Sequence, residues 1–328
     1  LFRSRRFSLL LRSHWVNRRG IRQNYATMEN LNGYRAILVH AHPDDETINN
    51  GATMALYAKL GAEITLITCT RGEEGEVLIP DLAHLAAHNK DELGAHRVIE
   101  LENAMKELGI KDHRFLGNYR DSGMMGTEPN NRKDSFWQAD LESVSIELAT
   151  IYDQVKPHIL ITYDENGGYG HPDHIKAHQV AMRASEISNW KISKIYWNAM
   201  PKSVLESGLA KMKELGSDFF GAETVDDIPF AKDDALVTSV VDGNSVVDLK
   251  MSAMRAHGTQ ISVDGPFFAL SNNLGLEVWG NEFYQLVKGE KSGPLNSDGR
   301  ETNLFAGISL DRKSTRLNSS HTDISRMP

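Results

Sequence analysis

Two apolar runs in this chain each lead into a cluster of histidine and aspartate. Residues 36–39 are typical of a buried strand, and His40-Ala41-His42-Pro43-Asp44-Asp45-Glu46 follows at once. Residues 159–163 form a second apolar run, which leads into Tyr169-Gly170-His171-Pro172-Asp173-His174. Ligands of open α/β sheets bind outside the carboxyl ends of the strands, where loops and helix N-termini converge. This arrangement predicts that two strand ends meet around one metal ion.

From residue 34 onward, short apolar strands alternate with longer amphipathic helices. The pattern predicts strands at residues 36–39, 63–70, 113–116, 159–163 and 194–199. It predicts helices after residue 46, at residues 91–108 and 139–154, and from Pro172 onward. This order predicts a Rossmann-like α/β fold, with a mainly parallel sheet and helices on both faces. No G-x-G-x-x-G motif follows the first strand, so a dinucleotide cofactor is not supported.

The pattern is weaker beyond Pro201. We predict helices near residues 203–214, 247–257 and 280–288, and a hairpin around Asp242-Gly243-Asn244. We interpret residues 28–200 as the catalytic core and residues 201–310 as a smaller α+β extension packed on it.

The two ends of the chain differ in composition from the rest. Residues 1–27 contain seven arginines and no acidic residue. Three interpretations are possible: a transit-peptide-like leader, a disordered basic arm, or translated sequence upstream of a start at Met28. We favour the last. Residues 311–328 break the pattern and resemble vector sequence, so we expect them to be non-native or disordered.

The composition of the chain limits which molecules it can bind and where it can act. The net charge is -8, and the chain without its first 27 residues carries -15, which argues against a nucleic-acid partner. Cys69 is the only cysteine, which excludes an internal disulfide and a cysteine-built zinc site. No segment has the roughly 18 consecutive apolar residues of a membrane span. We expect a cytoplasmic enzyme that acts on a small molecule, with homo-oligomerisation left open.

The first cluster has the donor types of a catalytic zinc site. Such a site takes three ligands from His, Asp and Glu and keeps one position for water. His42 and Asp45 can both face one ion across a strand-to-helix turn while Asp44 faces the bound water, and His174 would complete the set. The alternative for the two aspartates is helix capping. The second histidine-rich turn favours the metal site.

The second cluster leaves several roles open. His178 stands four residues after His174 and could chelate the same ion, or it could be a supporting or surface residue. His171 could be a general acid. Asp173 could hold an imidazole in one tautomer, or could simply be a favourable carboxylate in the first turn of a helix. Tyr169 lies between two glycines, where it either presents its phenol or packs within the loop.

Together, the two clusters resemble the paired signature of the LmbE-like, or PIG-L, superfamily of zinc N-deacetylases. The likeness runs from about residue 34 to at least residue 310. Within the superfamily the chain resembles the mycothiol-pathway deacetylases of N-acetylglucosaminyl-inositol, and the mycothiol-conjugate amidases or other amino-sugar deacetylases are the alternative. That similarity rests on four further stretches, at residues 68–77, 120–124, 163–170 and 271–274.

The resemblance implies a zinc ion, or ferrous iron, and a set of residue roles. The implied metal ligands are His42, Asp45 and His174. The implied general base, general acid and oxyanion-stabilising group are Asp44, His171 and Tyr169. The implied contacts to sugar or inositol hydroxyls are Glu76, Arg97 and Asp121.

For Glu76 and Arg97, the residues alone favour a solvated charge. The implied reaction is hydrolysis of the N-acetyl group of an N-acetylglucosamine conjugate. A sugar-binding protein stabilised by a metal is the non-enzymatic alternative.

Overall fold

The structure is a computed structural model, and it describes residues 30–214, 221–263 and 280–310. Strands β1 to β8 are Arg35–His40, Glu63–Thr68, Asp112–Phe115, Ile159–Thr162, Lys194–Pro201, Ala231–Lys232, Ser239–Asp242 and Asn281–Lys288. Helices α1 to α7 are Asp45–Lys59, Leu93–Leu108, Leu141–Val155, Gly167–Gly170, Pro172–Ile187, Lys202–Glu214 and Val247–Ala256. None of the helices in these ranges is both long and apolar enough to cross a membrane. The two terminal segments and the 271–274 motif lie outside the described residues.

The sheet has the order β3-β2-β1-β4-β5-β8-β7, and β6 pairs with the end of β5. Strands β1 to β5 pair in parallel, whereas β8 runs antiparallel to β5 and β7. The predicted α/β fold with a mainly parallel sheet is therefore confirmed. After β1, the chain adds β2 and then β3 on one side of β1, and it later returns to add β4 on the other side of β1. Such a switch point opens a crevice at the carboxyl ends of β1 and β4.

Strand β1 shows why these residues form a central strand. Ala36 and Leu38 belong to an apolar cluster with α1, α2 and α7, whereas Ile37 and Val39 belong to a cluster with α3 and α5. Successive side chains of a strand point to opposite faces, and here helices cover both faces. A strand buried on both sides must be apolar throughout, and this gives the uninterrupted run in the sequence.

Two predictions for the C-terminal part are wrong. Residues 280–288 do not form a helix, because Asn281–Lys288 is strand β8. Its neighbouring residues Phe283 and Tyr284 pack into two different apolar clusters, which matches the alternation of a strand. The hairpin at residues 242–244 is also absent, since β7 pairs with the distant β8 and its chain turns through Asn244–Val246 into α7.

The other two C-terminal helices are confirmed, as Lys202–Glu214 and Val247–Ala256. Strands β7 and β8 join the sheet of the core. The division of the chain at residue 200 stays a prediction.

A buried ion pair near the C-terminus gives the first testable prediction. The Glu301 carboxylate is fully buried and accepts hydrogen bonds from Lys194 Nζ and, at 2.7 Å, from the Tyr196 hydroxyl. Replacing Glu301 with Gln removes the charge that faces a buried ammonium. Breaking such a pair costs about 3–5 kcal/mol. We expect the free energy of unfolding, measured by urea denaturation, to fall by about this amount.

The matched control is the pair between Arg183 and Glu142, whose side chains are 39% and 56% exposed. Glu142→Gln is expected to change the free energy of unfolding by less than about 1 kcal/mol. Equal losses in Glu301→Gln and Glu142→Gln would contradict the assignment of the large cost to burial.

Candidate metal centre

Three side chains from two strand ends converge on one point. His42 follows β1, Asp45 is the first residue of α1, and His174 lies in the first turn of α5. Asp45 Oδ2 is 3.3 Å from His42 Nδ1 and 3.3 Å from His174 Nε2. The two imidazole nitrogens are themselves 3.3 Å apart. The donor atoms thus form a triangle with equal edges, and all three residues are buried.

This triangle has the size that a tetrahedral metal ion requires. Zinc bonds to nitrogen and oxygen measure about 2.0–2.1 Å, which separates two donors at the tetrahedral angle by about 3.3 Å. Two imidazoles and one carboxylate are ligand types of catalytic zinc, and the fourth position stays available for water or substrate. Ferrous iron accepts a similar donor set. The three residues therefore fit a divalent cation.

Hydrogen bonds behind the triangle orient both imidazoles. His42 Nε2 lies 3.3 Å from Asp173 Oδ2, and His174 Nδ1 lies 3.1 Å from the Gly167 carbonyl oxygen. When one ring nitrogen donates to such an acceptor, the other is left unprotonated and faces the metal. Asp173 is itself fixed by hydrogen bonds from the backbone N–H, at 2.8 Å, and the hydroxyl of Ser122. The imidazole beside Asp173 is thus that of His42.

The charges around His42 favour a cation. Burial opposes a positive charge on this imidazole, but the carboxylates of Asp121, Asp173 and Asp45 raise its pKa well above the usual value. Burial likewise opposes a negative charge on Asp45, but His174 and His42 lower its pKa well below the usual value. The buried cluster therefore stabilises charge of both signs, as a metal centre with carboxylate ligands must.

Asp44 stands beside the triangle in an unusual backbone conformation. Its φ is 116° and its ψ is -36°, a combination that costs a residue with a side chain about 1–3 kcal/mol. Its carboxylate makes no capping hydrogen bond to α1, so helix capping does not explain this residue. Burial raises the pKa of Asp44 to about 6, although Arg97, whose Nη2 is 3.2 Å from Asp44 Oδ2, opposes the shift.

The predicted substrate contacts lie in different surroundings. Arg97 is 3% exposed and donates to the carbonyl oxygens of Gly72, at 2.8 Å, and Pro43, so the solvated-charge interpretation is wrong for this residue. Glu76 is exposed on the loop after β2, as that interpretation expects. Asp121 is buried, with Oδ1 3.6 Å from His42 Nε2. For all three residues, contact with a substrate stays a prediction.

His171 lies at the start of α5, against the triangle. Its Nδ1 accepts a hydrogen bond of 3.2 Å from the Asp173 N–H, which leaves Nε2 to carry the proton of the neutral ring. The His42 ring centroid is 4.7 Å away and that of His174 is 5.1 Å away. Burial and these two imidazoles lower the pKa of His171 to about 3. His171 also forms a group of close donor atoms with His42 and His174, and Asp121 and Asp173 form another with His42.

Tyr169 is presented by a short, glycine-rich turn. It lies in α4 between Gly168 and Gly170, whose φ values of 76° and 89° favour glycine. The Tyr169 ring is 44% exposed, and its centroid is 4.9 Å from that of His174. Asp164 supports the turn, since its Oδ1 accepts from the Gly168 N–H at 2.8 Å. Its other oxygen, Oδ2, lies 2.5 Å from Lys232 Nζ.

His178 is not part of the triangle. Its Nδ1 lies 2.9 Å from the carbonyl oxygen of Tyr163, and its ring packs edge-on against Trp197 at 5.0 Å. The possibility that His174 and His178 chelate one ion together is therefore wrong. His178 instead connects α5 to the end of β4 and the middle of β5.

Three residues that support the site are absent from the sequence predictions. The Tyr163 ring stacks on His174 at 4.3 Å, and its hydroxyl accepts from the Ala41 N–H. Ser122 holds Asp173, and His257 holds Glu46 from the end of α7. Ser122 and Tyr163 lie in stretches on which the family resemblance rests, so that resemblance is the signal that points to them. His257 lies 211 residues from its partner, and no local pattern marks it.

A cavity of about 600 Å³ opens beside the triangle. Asp44, Asp45 and His174 line it on one side, and apolar residues that include Leu205 and Phe230 line it on the other. Small-molecule sites of proteins commonly measure about 300–1,000 Å³. The candidate metal centre is therefore open to a ligand of the size of a disaccharide.

This fold and this site define a class of protein. The chain belongs to the PIG-L family, described as GlcNAc-PI de-N-acetylase, and the match covers residues 37–185. It is 53% identical, over 292 residues, to 1D-myo-inositol 2-acetamido-2-deoxy-alpha-D-glucopyranoside deacetylase 1 of Catenulispora acidiphila. That alignment covers 84% of this chain and 90% of the relative. The predicted family is confirmed.

Solved structures share the fold at much lower identity. The N,N'-diacetylchitobiose deacetylase of Pyrococcus horikoshii is 20% identical with a TM-score of 0.50, and the likeness covers 78% of this chain and 84% of that one. The 4-carboxy-2-hydroxymuconate hydratase of Pseudomonas putida is 18% identical with a TM-score of 0.51, over 80% of this chain and 100% of that one. Proteins named for two different reactions thus share this fold, so the reaction must be argued from the site.

Proposed function

We propose that this protein is a divalent metal-dependent deacetylase that releases acetate from 1D-myo-inositol 2-acetamido-2-deoxy-α-D-glucopyranoside, a step of mycothiol biosynthesis. The observation that carries the proposal is the 3.3 Å triangle of His42, Asp45 and His174, with the Asp44 carboxylate beside it. The 53% identity to a relative named for this substrate supports the substrate. The cavity has room for an amino sugar joined to inositol.

His42, Asp45 and His174 are the proposed ligands of the ion, which is zinc, with ferrous iron as the alternative. A bound ion of this kind lowers the pKa of water toward neutrality and polarises a carbonyl group. The buried hydrogen bonds of Asp173 and Gly167 keep the two imidazoles turned toward the ion. Residues around the triangle carry out the proton transfers and stabilise the developing charge.

Asp44 is the proposed general base. Its pKa of about 6 leaves the carboxylate ionised at neutral pH, yet close enough to neutrality to accept a proton efficiently. Water adds to the acetamide carbonyl carbon as Asp44 takes its proton, and a negative charge develops on the carbonyl oxygen. The Tyr169 hydroxyl donates a hydrogen bond to that oxygen. Tyr169 lines the cavity beside His174, which suits this role.

His171 is the proposed general acid. Cleavage of the C–N bond yields acetate and needs a proton on the departing amine nitrogen. With a pKa of about 3 the His171 ring is neutral at rest, so it takes a proton from solvent as the intermediate forms and passes that proton to the nitrogen, while Asp44 releases to solvent the proton that it took from water. The negative charge that develops on the carbonyl oxygen favours that protonated form, because the charge lies close to the ring.

Acetate release from the glucosaminyl-inositol substrate tests the proposed function. The protein beginning at Met28 is loaded with one equivalent of zinc and assayed for acetate, and in parallel for amine release from a mycothiol S-conjugate. We expect a kcat/KM for the deacetylation at least tenfold above that for the conjugate. The reverse order would favour the amidase alternative. Binding of the sugar without any turnover would favour a metal-stabilised binding protein.

Tyr169→Phe tests the oxyanion-stabilising role. The substitution removes one hydroxyl and keeps the ring beside His174. Loss of one oxyanion donor costs about 10²–10³ in kcat. We expect kcat to fall by about 10²-fold while zinc content and KM change little. Tyr119→Phe removes an exposed hydroxyl that bonds Glu147, and it serves as the control with unchanged kcat. A similar kcat for both variants would remove Tyr169 from the chemistry.

A further inference from the structure

The strained backbone of Asp44 is tied to a carboxylate two residues later. The Asp44 N–H donates to Glu46 Oε2 at 2.9 Å, and the Asp44 carbonyl oxygen accepts from the N–H groups of Thr47 and Ile48 at 3.0 Å. Glu46 is fully buried. Residues in sparsely populated conformations persist only where their surroundings hold them, and Glu46 is one such support.

The second oxygen of Glu46 reaches a different part of the chain. Glu46 Oε1 lies 2.8 Å from His257 Nε2 and accepts from the Thr47 hydroxyl at 2.6 Å. Thr47 belongs to the same helix as Glu46, whereas His257 follows α7, in the C-terminal part of the fold. His257 is also fully buried. The carboxylate of Glu46 thus links His257 to the backbone of Asp44.

The main chain of His257 is itself well fixed. Its N–H donates to the Met254 carbonyl oxygen at 3.2 Å, and its carbonyl oxygen accepts from the N–H groups of Gln260, at 3.0 Å, and Ile261, at 2.8 Å. Within the part of the chain that the structure describes, its Nδ1 has no hydrogen-bond partner. The ring therefore acts on its neighbours through Nε2, which faces Glu46.

We propose that His257 is a positioning residue for Asp44, which it reaches through Glu46. This inference rests on the proposed role of Asp44 as the general base. Hydrogen bonds from Thr47 and His257 fix Oε1, so that Oε2 stays aimed at the Asp44 N–H. Without the bond from Nε2, the buried carboxylate of Glu46 loses a donor and turns to find another. The Asp44 backbone then relaxes, and its side chain moves relative to the triangle.

The proposed metal ligands have supports that do not involve His257, and the Asp45 carboxylate accepts a hydrogen bond of 3.0 Å from the His42 N–H. His42 is held by Asp173, and His174 by Gly167 and Tyr163. Loss of the His257 bond should therefore disturb the base more than the metal. A positioning role predicts a lower kcat with an unchanged metal content, whereas general loosening of the site would change both.

Two variants of similar polarity separate these possibilities. The side-chain nitrogen of Gln can occupy the place of His Nε2, whereas the shorter Asn reaches only the place of Nδ1. His257→Gln can therefore donate to Glu46, and His257→Asn cannot. Both variants remove the ring, so any effect of lost packing is similar. His158→Asn is the control, because His158 is 8% exposed and accepts from the Arg35 N–H at the amino ends of β1 and β4, away from the carboxyl ends that carry the triangle.

The zinc-loaded proteins are assayed for kcat, KM, bound zinc and thermal midpoint, and the crystal structures of both His257 variants are determined. We expect His257→Asn to lower kcat by about 10- to 100-fold, with KM within twofold and one zinc retained. We expect His257→Gln to stay within about threefold of the wild type, and His158→Asn to affect only the thermal midpoint. The crystal structures should show a positive φ at Asp44 in the Gln variant and a relaxed φ in the Asn variant.

Equal kcat values for the Gln and Asn variants would overturn the inference, as would loss of zinc in parallel with activity. If the wild type released no acetate, the proposed function would fail, but the two crystal structures would still decide whether His257 controls the Asp44 backbone. An unchanged Asp44 φ in His257→Asn would then refute the positioning role. If His257→Asn does not fold, a kcat in His257→Gln that falls tenfold or more would also overturn it.

Discussion

Asp44→Asn is expected to lower kcat for acetate release by about 10²–10⁴-fold while the protein keeps its metal. Asn has the shape of Asp and can still lie against Arg97, but its amide cannot take a proton from water at neutral pH. The carboxylate oxygen of Asp44 is not one of the three donors that form the triangle. The measurements are steady-state acetate release and the zinc content of the purified variant.

The control for Asp44→Asn is Asp112→Asn, at the start of β3, where Asp112 pairs with the partly exposed Arg114. This variant is expected to keep kcat within about threefold of the wild type. A variant of Asp44 that retains more than a tenth of the wild-type kcat would contradict its role as the base. Loss of zinc together with activity would instead make Asp44 a ligand.

The same substitution should stabilise the metal-free protein. The pKa of Asp44 is raised from 3.8 in the unfolded chain to about 6 in the fold, so the folded state holds its proton more tightly. The ionised carboxylate therefore reduces stability, and this reduction develops as pH rises from about 4 to about 6. We expect metal-free Asp44→Asn to have a higher thermal midpoint than wild type at pH 7, and an equal one at pH 4. A lower midpoint at pH 7 would contradict the raised pKa of the buried Asp44 carboxyl group.

The position of the candidate metal site could be predicted from the sequence because its residues lie directly after two strands. The apolar runs before His42 and Tyr169 mark β1 and β4, and parallel strands that adjoin each other must bring their carboxyl ends together. The two histidine-rich turns, about 130 residues apart in the chain, are therefore neighbours in the fold. The histidine and aspartate side chains at those turns then predict that a metal ion binds there. None of these steps required knowledge of side-chain positions.

The sequence could not predict features that depend on distant packing. The pattern at residues 280–288 predicts a helix, whereas the structure has strand β8 there, because tertiary contacts insert this segment between β5 and β7. Arg97 looks like a helix charge in the sequence, yet the fold buries it against the turn that carries Asp44. The link from His257 to Glu46 joins residues 211 positions apart, and no local pattern encodes such a pair.

Some of the side chains around Asp44 come from helices and not from the ends of the strands. A hydratase and a deacetylase share this sheet at TM-scores near 0.5. The sheet brings the strand ends together, but Asp44, the proposed base, contacts side chains from elsewhere, namely Arg97 in α2 and, through Glu46, His257 after α7. Because proteins named for different reactions share the sheet, side chains outside the strand ends must also be considered when a reaction is assigned to this fold.

His174→Ala is expected to abolish metal binding and, with it, acetate release. The ring of His174 supplies one corner of the triangle, and its removal leaves His42 and Asp45 as two donors where three are needed. Substitutions of groups that merely support metal ligands already cost about 10–100-fold, so loss of a ligand should exceed that. We expect less than a tenth of an equivalent of zinc after dialysis, and activity at background.

Thermal unfolding measures the loss of zinc binding in His174→Ala independently. A ligand that binds only the folded state stabilises it by about 2.7 kcal/mol at a concentration 100 times its dissociation constant. Added zinc should therefore raise the thermal midpoint of the wild type and leave that of His174→Ala unchanged. His178→Ala is the matched control one helical turn later, because its ring packs on Trp197 and lies outside the triangle. If His178→Ala lost zinc as completely as His174→Ala, the assignment of the triangle would be wrong, since the His178 Nδ1 lies against the Tyr163 carbonyl oxygen and not at a corner of the triangle.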